Sequence, residues 1–246
     1  SVDIGSSINN AFTGSSTISL WMETDLGTGT QQTFIGAYNS DVTDLLHFYK
    51  ESSGKITAMY EANNIRGTAT TDDVICVSGQ NDWKHIVCTI NDTTNQINIY
   101  VNGNLQTLDS IYPGDLSNVT NSNFDLDVSL TIGARNENGT PARFFNGSIN
   151  QFAIWNKSLS STEISAIYTA GRHTNLLDNY SDNLKAYYAF GASDAITGLA
   201  DTDSTIYDRS GNSNHGTPSG TATGDLKSPP NAEPNGYAKG DTNRST

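Results

Sequence analysis

The densest group of oxygen-bearing side chains in the sequence lies in its last third. Asp201, Asp203, Asp208, Ser210 and Asn212 fall within one short segment rich in Asp, Asn and Gly. Ca²⁺ takes about six to eight oxygen ligands from carboxylates, amides and main-chain carbonyls, and this segment offers all three. The same residue types also close turns through their own side-chain hydrogen bonds. The pattern therefore predicts either a structural calcium site, with Asp203, Asp208 and Asn212 as ligands, or a metal-free turn.

A second polar segment, residues 135–143, has side chains suited to sugar hydroxyl groups. Arg135, Asn136, Glu137 and Asn138 supply hydrogen-bond donors and acceptors there. A sugar site also needs an exposed aromatic ring for the apolar face of the sugar. Strand tyrosines and turn asparagines are ordinary in β proteins, so structural roles stay open for all of these residues. The candidate aromatic platforms are Tyr38, Tyr60 and Tyr112.

Catalytic motifs are missing from the sequence. His47, His85, His173 and His215 show no metal-binding spacing, and none lies near a Gly-x-Ser-x-Gly nucleophile motif. We therefore predict no catalytic residues and no enzymatic activity.

Charge and composition exclude two further classes of partner. The 246-residue chain has a formal net charge of −13 and only 13 Lys and Arg residues. A phosphate-binding surface needs clustered basic residues, so nucleic acid is not an expected partner. No stretch approaches the roughly 18 apolar residues of a membrane span. The acidity instead favours solubility and leaves carboxylates available for hard cations.

Alternating apolar and polar residues predict many short strands. In the run that follows Ser16, Ile18, Leu20 and Met22 alternate with polar or amphipathic neighbours. The sequence INIYV, followed by Asn102-Gly103 and NLQTL, predicts a tight hairpin because an Asn-Gly pair accepts positive backbone torsions at both positions. About a dozen such runs separated by polar turns predict an all-β, two-sheet antiparallel sandwich with jelly-roll topology.

One short helix is expected, within residues 144–171. An Asn-Gly turn precedes a strand in which Phe152 and Ile154 share one face while Ala153 and Trp155 share the other. A capping box, Ser160 with Glu163 three residues later, then predicts a helix that ends at Gly171.

Cys76 and Cys88 leave two alternatives. They flank a polar loop, so a disulfide between neighbouring strands is one interpretation. The other is a pair of buried thiols that act as small apolar residues, because Cys88 is in phase with Ile86 and Ile90.

Together, these pieces carry a resemblance to a known family. The segments WKHIVCTINDTTNQINIYVNG, LTIGAR, FFNGSINQFAIWNKSLSSTEISAIYTAG, LKAYYAF and DRSGNSNHGT resemble a laminin G-like module of the concanavalin A-like lectin/glucanase superfamily. The resemblance covers residues 1–220, leaving residues 221–246 as a linker or extended tail. Such modules usually begin with an additional strand, so we expect the first strand to be missing or supplied by a partner.

The resemblance implies a binding rather than a catalytic role. Related modules often hold a structural Ca²⁺, which supports Asp208 and Asn212 as ligands. Glucanases of the superfamily use a Glu-x-Asp-x-Glu strand, but here Glu23-Thr24-Asp25 is followed by Leu26 and Gly27, so the second Glu is absent.

Three functional hypotheses follow. The first is a non-enzymatic binding or adhesion module of a virion or cell-surface protein, similar to modules in phage and bacterial proteins, that recognises glycans or a neighbouring protein through rim loops. The second is a structural or decoration protein that packs against neighbouring subunits of a viral or extracellular assembly. The third is a hydrolase with degenerate motifs. The first two predict an extracellular or virion-surface location.

Overall fold

A computed structural model describes residues 1–24, 27, 29–40, 44–62, 65–112, 124, 126–190 and 200–220. The predicted tail at residues 221–246 and most of the polar loop after Tyr112 lie outside the described residues. The strands are β1 (Val2–Asp3), β2 (Ser16–Glu23), β3 (Gln32–Tyr38), β4 (Leu45–Lys50), β5 (Ile56–Ala62), β6 (Ile65–Thr71), β7 (Lys84–Asn91), β8 (Gln96–Val101), β9 (Asn104–Leu105), β10 (Leu108–Tyr112), β11 (Thr131–Ile132), β12 (Arg135–Glu137), β13 (Thr140–Ala142), β14 (Ser148–Trp155), β15 (Leu184–Tyr188) and β16 (Thr217–Pro218).

These strands form two sheets that pack face to face. The larger sheet has the order β10-β6-β5-β4-β3-β11-β1-β16, with the β12–β13 hairpin paired to β3, and the smaller has the order β15-β14-β2-β7-β8-β9. The main core lies between them and includes Ile18, Phe34, Phe48, Ile99 and Phe152. The all-β sandwich predicted from the alternation pattern is confirmed.

The β14 strand contributes to two separate cores, and the side chains fall on the two faces that its alternation predicts. Phe152 and Ile154 point into the main core between the sheets. Ala153 and Trp155 point the other way, into a second cluster where helix α1 (Ser161–Ala170) packs on the outer face of the smaller sheet. All four side chains are completely buried. Burial of both faces explains why the last four residues of β14, 152–155, are apolar on both sides.

The predicted local signals at α1 and at the Asn-Gly hairpin are confirmed. The Ser160 side chain accepts from the Glu163 backbone N–H, while the Glu163 carboxylate accepts from the Ser160 backbone N–H. Gly171 ends the helix with a φ of 88°. The hairpin between β8 and β9 has positive φ at both Asn102 (50°) and Gly103 (77°), the torsions of a type I′ turn.

The structure adds helices that sequence patterns did not predict. A 3₁₀ helix (Ser7–Phe12) contributes Ile8 and Phe12 to the main core, and α2 (Leu176–Asn179) follows α1 with Leu176 in the second core. Both segments are too short to show a helical period. Among the described residues, no helix combines the length and apolar composition needed to cross a membrane.

The two cysteines are free, buried thiols, so the second of the two alternatives is confirmed. Burial raises the pKa of Cys76 to about 11 and that of Cys88 to about 12, which keeps both protonated and unreactive at neutral pH. Both side chains belong to the main core.

Candidate functional site

The β12–β13 hairpin carries four of the predicted sugar-binding residues. Its turn has positive φ at Asn138 (52°) and Gly139 (89°). The buried Asn136 side chain donates to the Ser129 carbonyl at 2.9 Å and accepts from the Gly139 N–H at 2.8 Å. Asn138 Oδ1 accepts from the Ser40 N–H at 2.9 Å. These amides therefore fix the shape and position of the hairpin, which leaves Arg135 and Glu137 to define its charge.

The hairpin lies against β3 at a position where β3 has no side chain. Strand β12 pairs in parallel with β3, placing Arg135 opposite Gly36 and Glu137 opposite Tyr38. A Cβ atom at Gly36 would lie 3.0 Å from the Leu46 carbonyl oxygen and 3.3 Å from Arg135 Cγ. Because both contacts are tighter than ordinary packing, glycine at position 36 permits the close approach of the hairpin.

Two guanidinium groups converge on one carboxylate oxygen. Glu137 Oε1 accepts from Arg135 Nε at 3.0 Å, from Arg135 Nη2 at 2.5 Å and from Arg143 Nε at 2.9 Å. Arg143 Nη1 also donates to Gln31 Oε1 at 2.6 Å. The side chains of Arg135, Glu137 and Arg143 are 16%, 33% and 43% exposed. We call Arg135, Glu137 and Arg143 the arginine cluster; it is partly open to solvent and holds two positive charges against one negative charge.

Burial acts to raise the pKa of Glu137, but hydrogen bonds from Arg143 and Arg135 outweigh it and hold that pKa below its ordinary value. His47 lies beneath the cluster, where burial, followed by the charges of Arg135 and Arg143, lowers its pKa well below the usual range. His47 is therefore neutral near pH 7 and adds no positive charge. Its Nε2 lies 2.9 Å from Thr33 Oγ1.

The three tyrosines proposed as platforms lie in different surroundings. The Arg135 guanidinium lies 5.9 Å from the centre of the Tyr38 ring, so Tyr38 borders the arginine cluster. Tyr60 is 1% exposed, stacks on Phe124 in the main core, and cannot serve as a platform. Tyr112 pairs with Thr68 at the β10 end of the larger sheet, about 24 Å from β12 at the usual strand spacing.

Sequence reasoning missed two residues beside the cluster. Gln31 binds Arg143 from the loop before β3, a contact that its position over one hundred residues earlier could not indicate. Phe144 follows Arg143 and is 57% exposed, but the Phe144-Phe145 pair gave no sign of which ring would be buried. Phe145 packs against the main core.

The Asp-rich loop is arranged quite differently, around Asp208. Asp208 Oδ1 accepts from the backbone N–H groups of Tyr187 and Ser210, both at 2.9 Å. Asp208 Oδ2 accepts from Ser210 Oγ at 2.9 Å and from the Asn214 N–H at 3.0 Å. The carboxylate is 4% exposed and receives four protein donors. These contacts close the turn around the carboxylate, as Asp side chains commonly do through hydrogen bonds to nearby backbone N–H groups.

Neighbouring side chains in the loop are also bonded within the protein. Asp201 and Arg209 form an ion pair at 3.3 Å with both side chains 0% exposed. Asn212 Nδ2 donates to the Leu184 carbonyl and to Ser210 Oγ, both at 2.9 Å. Asp203, by contrast, lies on the surface. We call residues 200–216 the aspartate loop.

The donor groups around Asp208 do not suit a metal ion, which needs oxygen ligands in place of N–H groups. Within the part of the chain that the structure describes, no three His, Cys, Asp or Glu side chains form a group that could hold a metal. Calcium bound through Asp203, Asp208 and Asn212 stays a prediction.

Three of the histidines, His47, His85 and His215, have structural surroundings. Burial lowers the pKa of His85 to about 3, and its Nε2 lies 2.8 Å from Ser19 Oγ. His215 Nδ1 accepts from the Asp208 N–H at 3.1 Å. His85 and His47 are thus neutral near pH 7 and buried, which makes them poor general acids or bases in their present positions.

The sequence matches a family model described as the concanavalin A-like lectin/glucanases superfamily over residues 1–165. Strands β15 and β16, which lie beyond the matched range, complete the edges of the two sheets. A search of curated proteins gives no match.

Several solved structures share the fold at low sequence identity. The Ruminococcus gnavus IT-sialidase CBM40 bound to α2,6-sialyllactose is 18% identical with a TM-score of 0.50, and the match covers 68% of this chain and 94% of that one. A Bacteroides ovatus protein proposed to bind carbohydrate is 16% identical with a TM-score of 0.54, covering 84% and 52%. The Streptococcus pneumoniae NanB sialidase is 19% identical with a TM-score of 0.52, covering 65% and 25%. At these identities the similarity concerns the fold.

Proposed function

We propose that this chain, which belongs to the concanavalin A-like lectin/glucanases superfamily, is a non-enzymatic module that binds glycans. The observation that carries the proposal is the convergence of Arg135 and Arg143 on Glu137 in a partly exposed position. Surface ion pairs contribute little to stability, so the conformation of this cluster favours a binding role over a structural one.

The cluster has the chemistry that recognition of a polar sugar requires. A guanidinium is a planar fork of donors that binds carboxylates and paired oxygen atoms in two-point contacts. Glu137 holds both guanidinium groups in place by accepting from their Nε atoms through Oε1, and its other oxygen, Oε2, can accept from a sugar hydroxyl group. The site is thereby organised before a ligand arrives, which reduces the entropy lost on binding.

Acidic sugars are the ligand class that the charge balance favours. Two guanidiniums face one carboxylate, so the cluster keeps one positive charge in a chain whose net charge is −13. A carboxylate-bearing sugar can pair with that charge, whereas the rest of the surface would repel it. The CBM40 structure, whose bound ligand is sialyllactose, shares the fold and supports this choice of ligand for testing.

A glycan-array screen followed by calorimetry on the full chain tests the proposal. We expect acidic glycans to bind and Arg143→Ala to weaken the affinity by about tenfold or more, since contacts to a charged partner contribute about 1.5–3 kcal/mol. Arg143→Lys keeps the charge but loses the fork and should also weaken binding.

Arg66→Ala is the matched control. Arg66 is also on the larger sheet, has a side chain 44% exposed, and pairs with Glu61 at 2.6 Å. Its removal should leave glycan affinity unchanged. Failure of the wild-type chain to bind any glycan, or equal losses in the Arg66 and Arg143 variants, would contradict the proposal.

We also propose that the module acts in an adhesion protein on a cell or virion surface. The support is the resemblance of its YYAF strand and DRSGN loop to modules of phage and bacterial surface proteins. Immunogold labelling of intact cells and virions with an antibody against this chain would test the location, and labelling confined to the cell interior would argue against it.

A further inference from the structure

Phe144 is an aromatic side chain exposed beside the arginine cluster. The large apolar residues that are exposed within the described part of the chain are Val74, Val77, Leu105 and Phe144, so Phe144 is the aromatic member of that set. A single exposed apolar side chain is ordinary in a folded protein. Its position next to Arg143 and the rigidity of its backbone distinguish it.

Hydrogen bonds on both sides of Phe144 fix its backbone. The Arg143 carbonyl accepts from the Thr33 N–H at 3.0 Å, and the Phe145 N–H donates to the Gly133 carbonyl at 2.9 Å. Arg143 itself has a φ of 53°, in the left-handed region that non-glycine residues rarely adopt. Such conformations persist where surrounding structure enforces them, and they concentrate at ligand sites.

The residues that follow hold the same loop and leave the Phe144 ring outside. The Phe145 ring packs at 5.5 Å from the ring of Phe34 in the core. The Asn146 N–H donates to Gln32 Oε1 at 3.1 Å, and the Asn146 carbonyl accepts from Thr24 Oγ1 at 2.9 Å. With both neighbouring segments anchored in this way, the exposed ring of Phe144 stands on a backbone that does not need to be ordered on binding.

An aromatic ring beside a guanidinium group is complementary to a pyranose, which has an apolar face and polar edges. One face of a pyranose ring presents C–H groups that pack on an aromatic ring, while its edges present hydroxyl or carboxylate groups. Phe144 and Arg143 are consecutive residues, with Cα atoms about 3.8 Å apart, and the side chains of both are exposed, so both lie within reach of one glycan. Tyr38 borders the cluster on the Arg135 side, where the guanidinium already lies over its ring, which leaves Phe144 as the ring open to a ligand.

We infer that Phe144 is the aromatic platform of the glycan site, and that it receives the C–H face of the same sugar unit whose polar edge pairs with Arg143. This inference rests on the proposed function. It adds a specificity element: the site should distinguish sugars that have a continuous C–H face from those in which an axial hydroxyl interrupts that face.

The experiment measures the affinity of the Phe144→Ala variant of the 246-residue chain for the acidic glycan that binds the wild type most tightly. Loss of an aromatic packing contact should weaken binding by about tenfold, while the melting temperature stays at the wild-type value because the ring is already exposed. Phe144→Trp should keep the affinity and add a fluorescence change on ligand titration.

Leu105→Ala is the matched control, because Leu105 is also 57% exposed but lies on β9 in the smaller sheet. Its affinity should equal that of the wild type. Wild-type affinity in Phe144→Ala together with a loss in Arg143→Ala would overturn the platform and leave the glycan site standing. Absence of any glycan binding by the wild type would overturn both.

Discussion

The arginine cluster and the aspartate loop are both rich in charged and amide side chains, yet they use those groups in opposite ways. In the aspartate loop, Asp208 receives four donors from within the protein, and the Asp201–Arg209 pair is completely buried. In the arginine cluster, side chains are 16% to 43% exposed, and three donors share one oxygen.

The difference teaches that polar density alone does not identify a site. A buried polar group must find partners inside the protein, because leaving it without them costs about 1–3 kcal/mol. The aspartate loop meets that requirement by bonding to β15, where the Asn214 side chain donates to the Lys185 carbonyl at 2.8 Å. The arginine cluster remains accessible, so its groups are available to a ligand.

Removing the Asp208 carboxylate is the largest expected effect. Asp208→Ala leaves the buried N–H donor of Tyr187 and the half-buried N–H donor of Asn214 without their acceptor, so we expect the free energy of unfolding to fall by about 3 kcal/mol. Urea unfolding measures the loss. The surface variant Asp203→Ala is its control and should change stability by less than about 0.5 kcal/mol. Similar losses of stability in Asp208→Ala and Asp203→Ala would show that the buried hydrogen bonds of Asp208 are not what stabilises the aspartate loop.

Removing Arg143 should have a much smaller effect on stability than on binding. Its guanidinium pairs with Glu137 near the surface, and exposed ion pairs contribute about 0–1 kcal/mol. We therefore expect Arg143→Ala to reduce the free energy of unfolding by less than about 1 kcal/mol in the same urea experiment. A loss as large as that of Asp208→Ala would show that the cluster is a structural element like the aspartate loop.

Acid should reduce the contribution of the arginine cluster to the stability of the fold as Glu137 becomes protonated. The folded protein holds the pKa of Glu137 below its ordinary value, so the carboxylate stabilises the fold above about pH 4.3 and loses that contribution as pH falls through the lowered folded pKa. Glu137→Gln should be slightly less stable than the wild type at pH 7, with a difference that narrows below about pH 4. Thermal unfolding from pH 3 to pH 7 would reveal it. A stability difference between the wild type and Glu137→Gln that stays constant from pH 3 to pH 7 would contradict the lowered pKa of Glu137 in the folded protein.

Calcium removal should have the smallest effect. Because four protein donors already occupy the Asp208 oxygens, we expect EDTA to leave the melting temperature unchanged. If Ca²⁺ raises the melting temperature and the Asp203→Ala substitution abolishes that increase, the result would instead support the calcium site predicted from the sequence. Mg²⁺ at equal concentration is the control for ionic strength.

Local sequence signals predicted much of the fold. The alternation in β14 assigned Phe152 and Ile154 to one face and Ala153 and Trp155 to the other, and the structure confirms it, with a separate core on each face. The Asn102-Gly103 turn is confirmed with the expected torsions. These features depend on residues close together in the chain, where backbone preference and side-chain period act directly.

The candidate site was only partly predictable. Arg135 and Glu137 were identified because they are close in the sequence. Gln31 joins Arg143 only through the folding of β3 against the β12–β13 hairpin, and the choice between Phe144 and Phe145 depends on which ring meets Phe34. Tyr60 and Tyr38 both lie on strands, and the sequence did not show that Tyr60 is in the core while Tyr38 borders the arginine cluster.

The sequence by itself determined the sandwich and its capped helix, because these follow from the hydrophobic period and from turn and capping chemistry. Tertiary structure decided which polar segment is closed and which is open. Asp208 meets the β15 backbone, and Arg143 meets Gln31 beside β3. Such contacts between residues distant in sequence determine whether a charged group is satisfied inside the protein or left accessible at the surface.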